Sequence, residues 1–223
     1  MSQSKKKYSF FYRNGLTLTF LTLLLVTLAG QIYNGRQEWN QELTERYHQA
    51  PLGWAQYLHS GHFISATFEN WESEFLQMGM YVLGTVFLRQ KGAPDSRPLE
   101  KGTEPPSPSV TPESPWPVRK GGWWRKVYEH SFSITYFLLF LFCFGMHVYG
   151  SWLHFNTMQS LDGKETEALA KYLTNSQLWF ESMQNWQSEF MAVVSLTVLG
   201  IYLREKDSTE SKEVEDPHSK TGD

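Results

Sequence analysis

Four apolar blocks separated by polar stretches organise this chain. The first, about Leu16 to Ile32, and the third, about Phe132 to Tyr149, contain no charged residue and approach the roughly 20 mostly apolar residues that a spanning helix needs. The second and fourth, Phe75 to Leu88 and Phe190 to Leu203, are shorter. Each offers about 14 residues, or roughly 21 Å of helix against a hydrocarbon core of about 30 Å. Flanking charge decides whether these short blocks cross. Lys5, Lys6, Lys7 and Arg13 precede the first block, and Arg89 and Lys91 follow the second. Arg119, Lys120, Arg125 and Lys126 precede the third, and Arg204 and Lys206 follow the fourth. The stretch 34–70 holds only Arg36 and Arg46, and 151–185 only Lys164 and Lys171. Cytoplasmic flanks collect Lys and Arg, so both ends and the middle are expected inside and the short blocks must cross. Each crossing then begins near Asn70 or Asn185, which draws Glu72, Glu74 and Glu189 towards the membrane. A signal peptide is the competing reading of the first block, with Thr27-Leu28-Ala29 as its cleavage site. The length of the run and its recurrence deep in the chain favour a retained helix.

The two halves repeat. A shift of 116 residues superposes Asn14-Gly-Leu-Thr-Leu-Thr-Phe20 on His130-Ser-Phe-Ser-Ile-Thr-Tyr136, Tyr33 on Tyr149 and Asn40 on Asn156. After one deletion, a shift of 115 brings Tyr57-Leu58 onto Tyr172-Leu173. It also brings Glu69-Asn-Trp-Glu-Ser-Glu-Phe75 onto Gln184-Asn-Trp-Gln-Ser-Glu-Phe190, and Leu88-Arg89 onto Leu203-Arg204. Two helices per module give both copies the same orientation, as in parallel-repeat membrane proteins. The expected fold is all-α: an integral membrane four-helix protein of two tandem helix pairs, with short helices in the outer loops. Module 1 occupies 1–91, with spans at about 15–33 and 70–89. Module 2 occupies 127–206, with spans at about 131–150 and 185–204.

Residues 92–126 form a Pro/Ser-rich linker, and 207–223 a polar tail. Neither has the apolar content to build a core, so both are expected to be disordered and cytoplasmic. In the outer loops Trp39, Leu43 and Tyr47 recur at helical spacing. Leu161, Ala168, Leu169, Tyr172 and Leu173 make a looser stripe. Packing of these stripes on each other or on the membrane surface is the expectation.

Composition adjusts this picture in three places. The mean hydropathy of −0.42 suggests a soluble protein, but the linker and tail dilute the apolar blocks. Aromatic residues reach 16%, with nine Trp, which suits membrane–water interfaces. The net charge of −3 argues against nucleic acid, because phosphate binding needs a basic surface. Cys143 is the one cysteine, so no intrachain disulfide or Cys-based metal site forms. Its apolar setting reads as a small buried hydrophobe.

No phosphate loop, nucleophile elbow or complete metal set appears, so neither enzymatic activity nor a cofactor is assigned. The sharpest feature is the repeated cluster Asn70, Trp71, Ser73, Glu74 and Asn185, Trp186, Ser188, Glu189. One reading makes it a helix start, with Asn as cap, acids against the helix dipole and Trp at the interface. The other sets Glu74 and Glu189 facing each other across the pseudo-axis, sharing a proton or holding a cation. His59 and His62 stand at i, i+3, but the second copy has Thr174 and Gln177 and no ligand set is evident. His147 and His154 share one face of the third helix. With Gln31 at the matching place in module 1, a second axial ligand for haem is lacking.

Ser60-Gly-His-Phe63, Phe68-Glu-Asn-Trp-Glu-Ser-Glu-Phe-Leu-Gln77, Gln184-Asn-Trp-Gln-Ser-Glu-Phe190 and Tyr202-Leu-Arg-Glu-Lys206 resemble a family of small bacterial membrane proteins catalogued as a domain of unknown function. The resemblance covers both modules. It departs from the family pattern at His130-Ser131, where module 1 has Asn14-Gly15. It implies a bacterial plasma-membrane four-helix protein, whose termini the flanking basic residues put in the cytoplasm, and it implies no activity. A non-enzymatic structural or interaction module, in contact with the bilayer and compatible with a homo-oligomer, is therefore the first functional expectation. A small transporter or proton/cation-conducting protein using Glu74 and Glu189 is the second.

Overall fold

The computed structural model describes residues 8–100 and 108–222. Lys5, Lys6 and Lys7, and the 101–107 part of the linker, lie outside them. Among the described residues the chain forms α1 (Phe10–Arg13), α2 (Gly15–Glu45), α3 (Trp54–Leu58), α4 (Gly61–Phe87) and α5 (Trp116–Lys120). These are followed by α6 (Gly122–Glu129), α7 (Ser131–Leu161), α8 (Leu169–Tyr172) and α9 (Ser176–Tyr202). No strand occurs among them.

Four long helices carry the architecture, and their bounds are spaced regularly. α2 and α7 have 31 residues each, start 116 residues apart (15 and 131) and end 116 apart (45 and 161). α4 and α9 have 27 each, start 115 apart (61 and 176) and end 115 apart (87 and 202). Loop closure is spaced in the same way. The Asn40 carboxamide accepts from the Leu52 amide at 2.7 Å and donates to the Leu52 carbonyl at 3.1 Å. Asn156 does the same to Glu167, at 2.8 and 3.0 Å. Each Asn thus ties its helix end to the returning loop through both faces of one amide.

The short apolar blocks understate their helices. α4 and α9 begin nine residues before Asn70 and Asn185, at Gly61 and Ser176. Their caps are the Ser60 hydroxyl, which accepts from the Phe63 amide, and the Asn175 side chain, which accepts from the Gln177 amide. The repeated Asn-Trp-x-Ser-Glu-Phe is therefore mid-helix, and the cap role read for Asn70 and Asn185 is corrected. α2 and α7 likewise run past their apolar blocks, to about 46 Å each at 1.5 Å per residue. The extra turns make the predicted stripe useful. Trp39 and Leu43 are buried with Tyr57, against Leu52, Phe63, Met158 and Leu161. A second cluster of Val148, Tyr172 and Leu178 packs with Phe144, Trp152 and Phe155. Cys143 is buried.

The tightest packing is between α4 and α7, and α4 also packs along α9. Glycine permits the α4–α7 approach. A Cβ on Gly61 would strike the His154 backbone nitrogen and come within 2.6 Å of the Gly150 carbonyl oxygen. A Cβ on Gly150 would meet the Ser65 backbone nitrogen at 2.5 Å. α2 and α7 are each long and apolar enough to cross a membrane, and no residue of the most apolar stretch of α2 is buried. The linker and tail, read from composition as disordered, form turns that bond to each other. The Gly92 amide donates to the Thr221 hydroxyl, and the buried Lys212 ammonium donates to the Gly92 carbonyl at 2.7 Å.

Candidate functional site

Polar residues on the inward faces of α4, α7 and α9 converge on His147. This imidazole is fully buried, as is Glu72 one element away. On one side, His147 Nδ1 lies 3.1 Å from Glu72 Oε2. The two atoms are off the line of a hydrogen bond, and neither has another hydrogen-bond partner. On the other side, His147 Nε2 lies 3.4 Å from Glu181 Oε2 and 3.9 Å from Glu69 Oε2. Three carboxylates from two helices thus surround one ring contributed by a third.

Each carboxylate is held in place. Glu69 Oε1 accepts from the Asn185 carboxamide at 2.6 Å, and Glu72 Oε1 from the Trp186 indole N–H at 3.3 Å. Glu181 Oε1 accepts from the Gln177 carboxamide at 3.0 Å, and Oε2 from the Ser151 hydroxyl at 2.7 Å. Ser151 in turn bonds the buried Tyr172 hydroxyl at 2.7 Å. Burial pushes Glu181 up, but the hydrogen bonds from His147, Ser151 and Gln177 outweigh it and hold its carboxyl below the usual range. Burial pushes the Tyr172 phenol up to about 12, so it stays a protonated partner.

A second group sits where the start of α4 meets α2, α3 and α7. His62 Nε2 lies 3.1 Å from Glu38 Oε2, and its Nδ1 is 3.3 Å from the Tyr57 hydroxyl. The Trp39 ring stacks on His62 at 5.4 Å and meets His154 edge-on at 4.9 Å. These rings border a cavity of about 300 Å³. Burial is the main cause that lowers both imidazoles. His154, with His62 beside it, falls to about 4, and His62 is lowered despite Glu38. The His154 ring is therefore neutral at pH 7.

The cluster singled out in the sequence is divided between roles. Asn185 and Trp186 reach the His147 site as donors. Asn70, Ser73 and Ser188 bond to carbonyls of their own helices, and Trp71 packs on Phe68. The Glu74 and Glu189 carboxyl groups are close enough to interact with each other, and neither contacts His147. His59 bonds the Ala55 carbonyl and does not join His62. The residues around His147, which the sequence did not bring together as one site, share one signal. His147 aligns with Gln31, Glu181 with Ala66, Glu69 with Gln184 and Glu72 with Gln187. All four ionisable groups stand where one copy is charged or basic and the other neutral.

A profile of the family described as Domain of unknown function (DUF6766) matches residues 7–223. No curated protein and no solved structure matches the chain.

Proposed function

The chain belongs to the family of unknown function DUF6766, and we propose from its architecture that it is a multi-pass membrane protein that binds and passes a proton or small cation. It crosses the bacterial plasma membrane four times, at about 15–33, 70–89, 131–150 and 185–204, with both termini inside. Two tandem helix pairs make up the bundle. Equal helix lengths, the regular 116- and 115-residue spacings and the paired Asn clamps support this arrangement. The bare apolar face of α2 supports the bilayer, because soluble monomers rarely leave so large an apolar patch in water.

One observation carries the functional reading: a wholly buried histidine held between three carboxylates inside the bundle. Ionisable groups at membrane depth are costly and mark ion or proton pathways. His147 lies 16 residues into α7, about 24 Å from its inner end, near the outer edge of the span. The cation-handling role thus moves from Glu74 and Glu189 to His147 with Glu69, Glu72 and Glu181. A purely structural, non-enzymatic module accounts for the exposed apolar faces but gives the buried charges no purpose.

Reconstitution into liposomes with an internal pH indicator and an imposed cation gradient tests this. Wild type is expected to dissipate a gradient that empty liposomes hold. His147→Gln should slow it at least tenfold while remaining monodisperse, and Glu74→Gln with Glu189→Gln should not. Wild-type liposomes as tight as empty ones, to protons and cations alike, would refute the proposal.

A further inference from the structure

We infer that Glu69, His147 and Glu181 form a binding site for a divalent transition-metal ion of the zinc class. This rests on the reading of the bundle as a cation-handling membrane protein and names its cation.

The donor atoms already stand near coordination spacing. His147 Nε2, Glu69 Oε2 and Glu181 Oε2 lie within 4.8 Å of one another, with Nε2 3.4 and 3.9 Å from the two oxygens. A tetrahedral ion with bonds of about 2.0–2.1 Å separates its ligands by roughly 3.4 Å. Movements of about an ångström therefore close the set. The supporting contacts are those a metal site needs. A ligating imidazole normally directs its second nitrogen to a carboxylate or carbonyl that fixes tautomer and orientation. His147 Nδ1 faces the buried Glu72 at 3.1 Å. Both atoms are otherwise unpartnered, and a small rotation of the ring as Nε2 takes up the ion turns this contact into a hydrogen bond. Asn185 and Gln177 hold the far oxygens of Glu69 and Glu181, which leaves the near oxygen of Glu69 for the ion, while that of Glu181 accepts from Ser151 and keeps a second lone pair for it.

Charge points the same way. One imidazolium balances only one of three clustered carboxylates, whereas a divalent ion supplies two positive charges at the focus of the group. The ligand types select among divalent ions. Calcium takes six to eight oxygens, and magnesium keeps a near-octahedral oxygen shell. Imidazole with two carboxylates suits zinc and its first-row neighbours. Access is also provided: the Glu69 and Glu181 side chains are 24% and 22% exposed while His147 and Glu72 are sealed. An ion enters from the carboxylate side.

The test uses the full chain in detergent, stripped with chelator and titrated with Zn²⁺ by calorimetry, with Co²⁺ absorbance as the spectroscopic probe. One ion per chain and an intense tetrahedral Co²⁺ band are expected. His147→Gln and Glu181→Gln should each weaken binding at least 100-fold. Glu181→Gln, at a part-exposed position, guards against misfolding of the first, and circular dichroism checks both. Glu72→Gln should retain the stoichiometry and weaken affinity about 10- to 100-fold. His59→Gln, at an exposed position, should change nothing. No Zn²⁺ binding by wild type, preference for Ca²⁺, or binding lost in His62→Gln/His154→Gln and kept in His147→Gln would each overturn the assignment. Failure here with His147-dependent proton flux in liposomes removes the metal alone. Metal binding without any flux removes transport and keeps the site.

Discussion

Replacing Gly150 by alanine is the sharpest probe of the α4–α7 contact. The added carbon would sit 2.5 Å from the Ser65 backbone nitrogen and 2.9 Å from the Ile64 carbonyl carbon. Backbone atoms of a regular helix cannot swing aside as a side chain can, so the two helices must part by roughly an ångström. Overpacking of this kind costs about 1–3 kcal/mol, from which up to about 1 kcal/mol of helix-propensity gain is subtracted. Because both clashes are with backbone, the upper part of that range applies, about 2–3 kcal/mol; the net loss of about 1–2 kcal/mol is a roughly 5- to 30-fold shift in the unfolding equilibrium. Gly145 lies on the same helix, and a Cβ there meets nothing within 4 Å, so Gly145→Ala should be neutral or stabilising. Gly61→Ala should resemble Gly150→Ala. Because the Gly61 position abuts Gly150, the double variant should cost less than the sum, since one separation relieves both clashes. The assay is reversible unfolding of the detergent-solubilised chain, followed by tryptophan fluorescence and far-ultraviolet dichroism. If Gly150→Ala and Gly145→Ala unfold alike within about 0.5 kcal/mol, the crossing is looser than described and the reasoning fails.

Three further outcomes follow from individual contacts. His154 is held near 4 in the fold against 6.5 unfolded, so below pH 6.5 the unfolded chain binds more protons and stability falls towards pH 4. The loss is on the order of 3 kcal/mol at most. It is followed by denaturant unfolding between pH 4 and 6.5, and His154→Gln should flatten the profile; a wild type indifferent to pH over that range would contradict it. Asn40→Ala and Asn156→Ala each remove two hydrogen bonds to a returning loop, at about 1–3 kcal/mol apiece. Limited proteolysis should cut near residues 46–53 in the first and 163–168 in the second, and equal resistance to wild type would show the clamps to be dispensable. Tyr172→Phe removes one hydrogen bond to Ser151 at about 1 kcal/mol, read as a lowered unfolding midpoint with unchanged helicity.

Much of the scaffold was legible in the sequence because its determinants are local. The apolar runs located the long helices, and the Trp39–Leu43 stripe packed as its spacing implied. Helix starts were misjudged for a physical reason. Ser65, Thr67 and Glu72 are polar yet buried, so an apolar run measures only the greasy part of α4 and misses the turns that hold polar contacts. The proposed repeat obscured the site. Attention to residues shared by both copies led to Asn70 and Asn185, Glu74 and Glu189. The ionisable groups around His147 stand where the copies disagree. Their meeting also depends on three helices crossing at one level, which no single segment encodes.

The bare flank of α2 has a mechanical consequence. Its buried residues, Trp39, Asn40 and Leu43, all lie in its last two turns, and protein contacts clamp it there. The stretch before Gln31, whose carboxamide donates to the Thr67 hydroxyl at 3.2 Å, is a cantilever anchored at one end. In the proposed bilayer its lean is set by membrane thickness, because a long apolar helix in a thin sheet lowers its mismatch by tilting. The root of that beam is Trp39, whose ring touches His62 and His154. Thinning or thickening that proposed bilayer would therefore apply torque beside His62 and His154.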